Sequence, residues 1–188
     1  MKGKIVILSG PSGSGKSTII KNLMKTRPDL RLGFSVSMTS RKPREGEEHG
    51  REYYFVTEED FRKKIAADEL VEWEEVYAGT FYGTLKSEVD RLVDEGYTVV
   101  LDVDVMGGLN VKKLYGDRAR SIFVKPPSIE VLEQRLRGRA TESEESLRKR
   151  LGKAEYEISL SPDYDVTVVN DNLDLAAAKI ADTIENFK

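Results

Sequence analysis

Between residues 10 and 17 the chain reads Gly10-Pro11-Ser12-Gly13-Ser14-Gly15-Lys16-Ser17, a glycine-rich turn closed by a lysine and a hydroxyl. Glycines let the backbone turn tightly enough for consecutive N–H groups to converge on one anion. A helix that follows adds the positive end of its dipole. The spacing G-x-x-x-x-G-K-[ST] predicts a nucleotide-phosphate loop, with Lys16 reaching the β- and γ-phosphates and Ser17 holding Mg²⁺. The loop alone does not separate kinases from ATPases or GTPases.

A second group of residues suits a second anion. Arg41 and Arg44 stand three residues apart beside hydroxyl side chains, and the planar arginine fork matches phosphate oxygens in pairs. Downstream come Tyr53, Glu72 beside the single tryptophan, and Phe81-Tyr82-Gly83-Thr84. Taken singly, each has an ordinary alternative as solvated charge or as a half-buried strand residue. A third group is basic: Gln134-Arg135-Leu136-Arg137-Gly138-Arg139, then Arg148-Lys149-Arg150. Pairing with the acidic run Glu142, Glu144 and Glu145 would account for Arg137, Arg148 and Lys149. The one histidine, His49, lies in a loop rich in Glu and Gly and is read as surface decoration rather than a metal ligand.

These groups must be held by a scaffold, and the apolar pattern indicates which. Residues 5–8, 99–101, 122–124 and 166–169 are short runs rich in β-branched side chains, the mark of strands buried on both faces. Helical stretches are expected at 17–25, from the capping sequence at Thr57 to about Asp68, at 84–95, 128–136, 142–158 and 173–187. Strands alternating with helices imply a parallel sheet in a three-layer α/β fold. Asp102 and Asp104 follow an apolar strand, at the end where such folds place site residues. Residues 34–82 break the pattern. They are polar and aromatic, and are read as a small, mostly antiparallel insert forming a second wall for a substrate cleft. The division expected is a core at 1–33, 83–125 and 159–188, the insert at 34–82 and a helical lid at 126–158, all within one domain.

Read in order, the phosphate loop, F-S-V-S-x-T-x-R-x-P-R, E-G-E, V-E-W-E, F-Y-G-T, L-D-V-D and Val168-Val169-Asn170-Asp171 resemble a guanylate kinase over nearly the whole chain. The resemblance implies a P-loop nucleoside-monophosphate kinase with ATP as donor, GMP as acceptor and Mg²⁺ as cofactor. It implies that Arg41, Arg44, Tyr53 and Tyr82 bind the GMP phosphate, and that Ser37, Glu72, Thr84 and Asp102 read the guanine. Asp104 is a further candidate beside Asp102. Arg135, Arg139 and Arg150 would be lid arginines acting with Lys16 in catalysis, with Arg139 also touching the adenine side of ATP. The insert and lid are expected to close on the core when both substrates bind. Three departures from the family pattern stand out: Ala140 for a glycine in the lid, Met106 for a glutamine, and Ser40 for a threonine. None removes a functional group named above.

Composition sets the outer bounds. The chain has 188 residues and a formal net charge of −3, which disfavours a nucleic-acid binder held by backbone phosphates. There is no cysteine, so disulfides and thiol chemistry are excluded. No apolar run approaches a membrane span, and the lysines before the first strand lead into the glycine loop rather than a cleavage site. The chain is therefore expected to be cytoplasmic and to bind neither membrane nor nucleic acid, and its oligomeric state leaves no signature. Two other readings fit the resemblance: a non-catalytic interaction domain of the same fold, and a kinase for another phosphorylated acceptor, with dGMP an open question. A regulatory GTPase is disfavoured, since Asn170-Asp171-Asn172-Leu173 is not the N-K-x-D tetrapeptide that reads guanine.

Overall fold

A segment that is apolar at every position is hidden only when both of its faces are covered. All four such runs are strands in the computed structural model, which describes residues 3–138 and 144–187. The elements begin β1 (Lys4–Ser9), α1 (Lys16–Thr26), β2 (Leu32–Gly33), β3 (Met38–Thr39), β4 (Tyr54–Phe55), α2 (Glu58–Ala66), β5 (Leu70–Tyr77) and β6 (Thr80–Leu85). They continue α3 (Lys86–Asp94), β7 (Thr98–Asp102), α4 (Val105–Tyr115), β8 (Ala119–Lys125), α5 (Ile129–Arg137), α6 (Glu144–Ser159), β9 (Val166–Val169) and α7 (Leu173–Asn186). The chain divides into two compact units, Met1–Lys4 with Gly33–Val99 and Ile5–Leu32 with Val100–Lys188.

The second unit is built on the sheet ordered β2-β7-β1-β8-β9. β1 runs parallel to β8 from Ile5↔Ala119 to Ser9↔Phe123, and β8 runs parallel to β9. Parallel neighbours need long crossovers, which helices supply. On one face Val6, Leu8, Ile122, Val124 and Val168 pack against Ile19 and Leu23 of α1 and Ile180 and Ile184 of α7. Phe123 alternates to the other face and packs with Val105 and Leu109 of α4 and with Tyr164. Helices thus cover both faces, giving the three-layer α/β arrangement.

Helix α4 is an element that the periodicity did not signal. Two adjacent glycines, Gly107 and Gly108, argue against it, since each costs about 1 kcal/mol relative to alanine in a helix interior. It forms because Asp104 caps it, accepting from the Gly107 N–H at 2.7 Å. Gly108 is also required where it stands: a Cβ there would lie 2.3 Å from Ser9 Oγ and 2.5 Å from the Tyr164 hydroxyl oxygen. The glycine is what lets α4 approach β1 closely.

The first unit carries the sheet ordered β4-β3-β6-β5. β3–β6 and β5–β6 are antiparallel, whereas β3–β4 is parallel, so the sheet is mixed. Its core is Met38, Phe61, Leu70 and Phe81, with the Phe61 and Phe81 rings stacked at 5.3 Å. Thr57 caps α2 by accepting from the Asp60 N–H at 3.1 Å. The helix expected from Thr84 begins two residues later. Thr84 and Leu85 remain in β6, paired with Glu72 and Leu70 of β5, because a β-branched residue with a cross-strand partner favours the strand. The capping sequence expected at Thr141-Glu142-Ser143 lies outside the described residues, as do Arg139 and Ala140.

Candidate active site

The donor-side residues gather where β1, β7 and β9 end. β1 runs directly into the glycine loop, and α1 starts at Lys16 with Gly15 in the left-handed region at φ 97°. No side chain caps this helix and no acidic residue lies in its first turn, so its leading N–H groups remain available to an anion. The Lys16 ammonium donates to the Gly10 carbonyl at 2.7 Å and lies 4.0 Å from the Asp102 carboxylate. Gly10, Lys16, Asp102, Asp104, Arg150 and Glu157 line one cleft of about 330 Å³. Partial withdrawal from water pushes the Asp102 carboxyl above its ordinary value, and the nearby Lys16 ammonium opposes that rise.

Of the three arginines expected in the lid, Arg135 and Arg150 fall within the described residues. Arg150 on α6 approaches the Ser12 hydroxyl, with 3.4 Å between its Nη1 and Oγ. Arg135 on α5 donates from Nη2 to the Asn170 carbonyl at 2.9 Å. Its Nη1 is buried and has no hydrogen-bond partner among the described residues. The other basic residues behave as surface charge: Arg137 pairs with Glu133 and Glu144, and Lys149 with Glu145.

Apart from Asp102 and Asp104, the acceptor-side candidates lie in the first unit: Ser37 just before β3, Arg41, Arg44 and Tyr53 between β3 and β4, Glu72 on β5, and Tyr82 and Thr84 on β6. Glu72 and Thr84 face each other across the β5–β6 pairing, and the Thr84 hydroxyl donates to Glu72 Oε1 at 2.7 Å. Thr84 is buried and Glu72 half-buried, so the carboxylate is held in one orientation. Arg41 donates from Nε to the Tyr82 hydroxyl at 3.1 Å and lies 5.6 Å from the centre of the Tyr53 ring. Tyr53 and Tyr82 meet edge to face at 5.7 Å. Arg44 is exposed, and Ser37 is half-buried beside β3, its carbonyl accepting from the Tyr54 N–H at 2.9 Å. Asp102 and Asp104 belong to the second unit, where Asp104 also serves as the α4 cap.

Two residues of the site were quoted in motifs but given no role by the sequence reading. Glu47 receives both terminal nitrogens of Arg41, at 3.0 and 2.9 Å, and also the Arg44 N–H at 2.7 Å. Its signal was the spacing Arg41, Arg44, Glu47, three residues at each step. Asn170, at the end of β9, donates from Nδ2 to the Ser14 carbonyl at 2.8 Å. Nothing in the local sequence points it at a loop 156 residues away.

This geometry can be compared with known proteins. The family model described as guanylate kinase matches residues 2–187. The chain belongs to the guanylate kinase family. A guanylate kinase of Bacteroides thetaiotaomicron is 51% identical over 187 residues, covering 100% of this chain and 91% of that one. One from Porphyromonas gingivalis is 50% identical, covering 98% and 97%. Among solved structures, the crystal structure of guanylate kinase from Anaplasma phagocytophilum superposes with a TM-score of 0.68 at 32% identity, covering 98% of this chain and 85% of that chain. Among the described residues no helix is long and apolar enough to cross a membrane, and no group of three or more His, Cys, Asp or Glu is set to hold a metal ion.

Proposed function

We propose that this chain transfers the γ-phosphoryl group of ATP to GMP, giving ADP and GDP. The observation that carries the choice of acceptor is the Glu72 carboxylate fixed by the Thr84 hydroxyl at 2.7 Å. Guanine presents its N1–H and 2-amino group as adjacent donors, and one carboxylate can accept from both. Adenine offers no such pair, so the Glu72 oxygens would be left poorly matched. Discrimination by unmatched polar groups reaches on the order of 10⁴-fold.

On the acceptor side, Arg41 and Arg44 bind the GMP phosphate together with the hydroxyls of Tyr53 and Tyr82, and Ser37 assists in reading the base. No general base is required, because the attacking phosphate oxygen is already anionic. On the donor side, the N–H groups of residues 10–17 cradle the ATP phosphates while Lys16 follows the oxygens of the transferring group. Charge develops over those oxygens in the transition state, so fixed cations lower the barrier more than they tighten substrate binding. Arg135, Arg139 and Arg150 supply that charge from the lid at 126–158 and help keep water from intercepting the phosphoryl group.

The donor set fits Mg²⁺ arriving with the nucleotide. Mg²⁺ in kinases is held mainly by substrate phosphates and water with one or two protein oxygens. The Ser17 hydroxyl, next to Lys16 in the first turn of α1, is the protein ligand proposed. Held there, Mg²⁺ would supply positive charge to offset that of the nucleotide phosphates. Asp102 orients the guanine or the waters around the ion, with Asp104 beside it. Such an enzyme belongs to purine nucleotide metabolism in the cytoplasm. The reading is tested by chromatography of a mixture of protein, ATP, Mg²⁺ and GMP. GDP and ADP appearing in equal amounts supports it, and ADP without GDP identifies an ATPase instead.

A further inference from the structure

Asn170 sits where the second unit's β9 ends, between the phosphate loop and helix α5, and its backbone N–H, its carbonyl and its side-chain nitrogen are each engaged. Its N–H donates to the Lys125 carbonyl at 2.8 Å, which ties it to the end of β8. Its carbonyl accepts from Arg135 Nη2 at 2.9 Å, and its side-chain Nδ2 donates to the Ser14 carbonyl at 2.8 Å. The residue is only 6% exposed. A Cβ on Gly15 would lie 2.2 Å from Asn170 Nδ2, so the amide fills the space that glycine leaves open.

From these contacts we infer that Asn170 is a positioning residue for ATP, setting the phosphate loop through its side chain and the lid arginine Arg135 through its carbonyl. The inference rests on the donor-side reading above. The reason is the direction of a dipole. A phosphate-binding loop works when its N–H groups point inward and its carbonyls point away, since a carbonyl turned inward would repel the phosphate oxygens. The Asn170 amide takes the Ser14 carbonyl as its acceptor and fixes that peptide with its N–H side free for the anion. Two polar atoms near this junction, Ser14 Oγ and Arg135 Nη1, are buried and have no partner among the described residues. Buried polar groups are ordinarily satisfied. Asn170 is bonded to both residues and so sets where these two unmatched donors lie.

The side chain and the carbonyl of Asn170 are separable by mutation. Asn170→Ala removes the bond to Ser14 and leaves the carbonyl that Arg135 uses. Loss of one buried hydrogen bond should raise KM for ATP about tenfold, with KM for GMP within about twofold of wild type. Asn170→Asp keeps the volume but sets a carboxylate against the Ser14 carbonyl, and should raise KM for ATP further. That variant also carries the test if the alanine variant does not fold. A merely structural role would lower the melting temperature and move both KM values together, so either that pattern or an unchanged KM for ATP in both variants overturns the inference. Lys16→Ala, measured alongside, separates the two readings. If it abolishes turnover while both Asn170 variants keep a wild-type KM for ATP, the role of Asn170 fails and the donor site stands. If Lys16→Ala is itself unimpaired, the donor-side reading and this inference fall together.

Discussion

The guanidinium of Arg41 is held end-on by the carboxylate of Glu47, with both terminal nitrogens within 3.0 Å of its oxygens. The same carboxylate accepts the Arg44 N–H, so one side chain fixes two residues assigned to the acceptor phosphate. Arg41 holds the Glu47 carboxyl below its ordinary range, with the Arg44 N–H adding to the effect. The pair therefore stays ionised well into mild acid. Nε donates its one hydrogen to the Tyr82 hydroxyl and Nη1 also donates to the Lys42 carbonyl, so the guanidinium is held at all three of its nitrogens. Glu47→Gln should raise KM for GMP by about tenfold, from loss of charge-assisted hydrogen bonds, with KM for ATP unchanged. Steady-state kinetics in each substrate checks this, and an unchanged KM for GMP would remove Glu47 from the acceptor site.

Glu72→Gln should be more damaging to GMP than its small change in shape suggests. The new amide turns a donor toward guanine's own donors and cannot accept from both. The expected loss in kcat/KM for GMP is on the order of 10²-fold or more, with ATP binding retained. Thr84→Val removes only the hydroxyl that orients the carboxylate, and about a tenfold loss is expected. Equal losses for GMP and ATP in either variant would contradict the base-reading role.

Lys16→Ala should leave the circular-dichroism spectrum unchanged and lower kcat on the order of 10²–10³-fold, the range for removing one preorganised cation or donor from a transition state. Near-wild-type turnover would mean that another group carries the charge.

How far the sequence could be read depended on the range of the interactions involved. The strands at 5–8, 99–101, 122–124 and 166–169 were legible because each is apolar throughout, and the phosphate loop because its spacing is local. Thr84 was misplaced in a helix because its partner, Glu72, lies on another strand and periodicity does not register pairing. Helix α4 was missed because Gly107 and Gly108 read as a turn, whereas Gly108 serves the contact with Ser9 and Tyr164. Arg41 and Glu72 were singled out by side-chain chemistry and family motif together. Asn170 was not assigned a role because its bond to Ser14 depends on how β9 is laid beside β8, which no local pattern encodes.

Asp102→Asn should separate stability from activity. Burial raises the folded-state pKa of Asp102, so ionising it opposes folding above that pKa, and the cost is absent below the ordinary carboxylate range. At pH 7 the asparagine variant should melt at or slightly above the wild-type temperature, a small effect because the side chain keeps 32% of its exposure and water screens the charge, while kcat/KM falls. The difference in melting temperature should shrink as the pH is lowered through the carboxylate range. A variant that melts well below wild type at pH 7 would show that the attraction to Lys16 outweighs the burial of the charge.

The central claim is that Glu72 makes GMP the acceptor, and it is tested most directly by ADP release with ATP, Mg²⁺ and GMP, AMP, CMP or UMP in turn. The account predicts turnover with GMP and a kcat/KM on the order of 10⁴-fold lower for AMP. Comparable turnover with AMP, CMP or UMP, or none with GMP from folded protein, would contradict it.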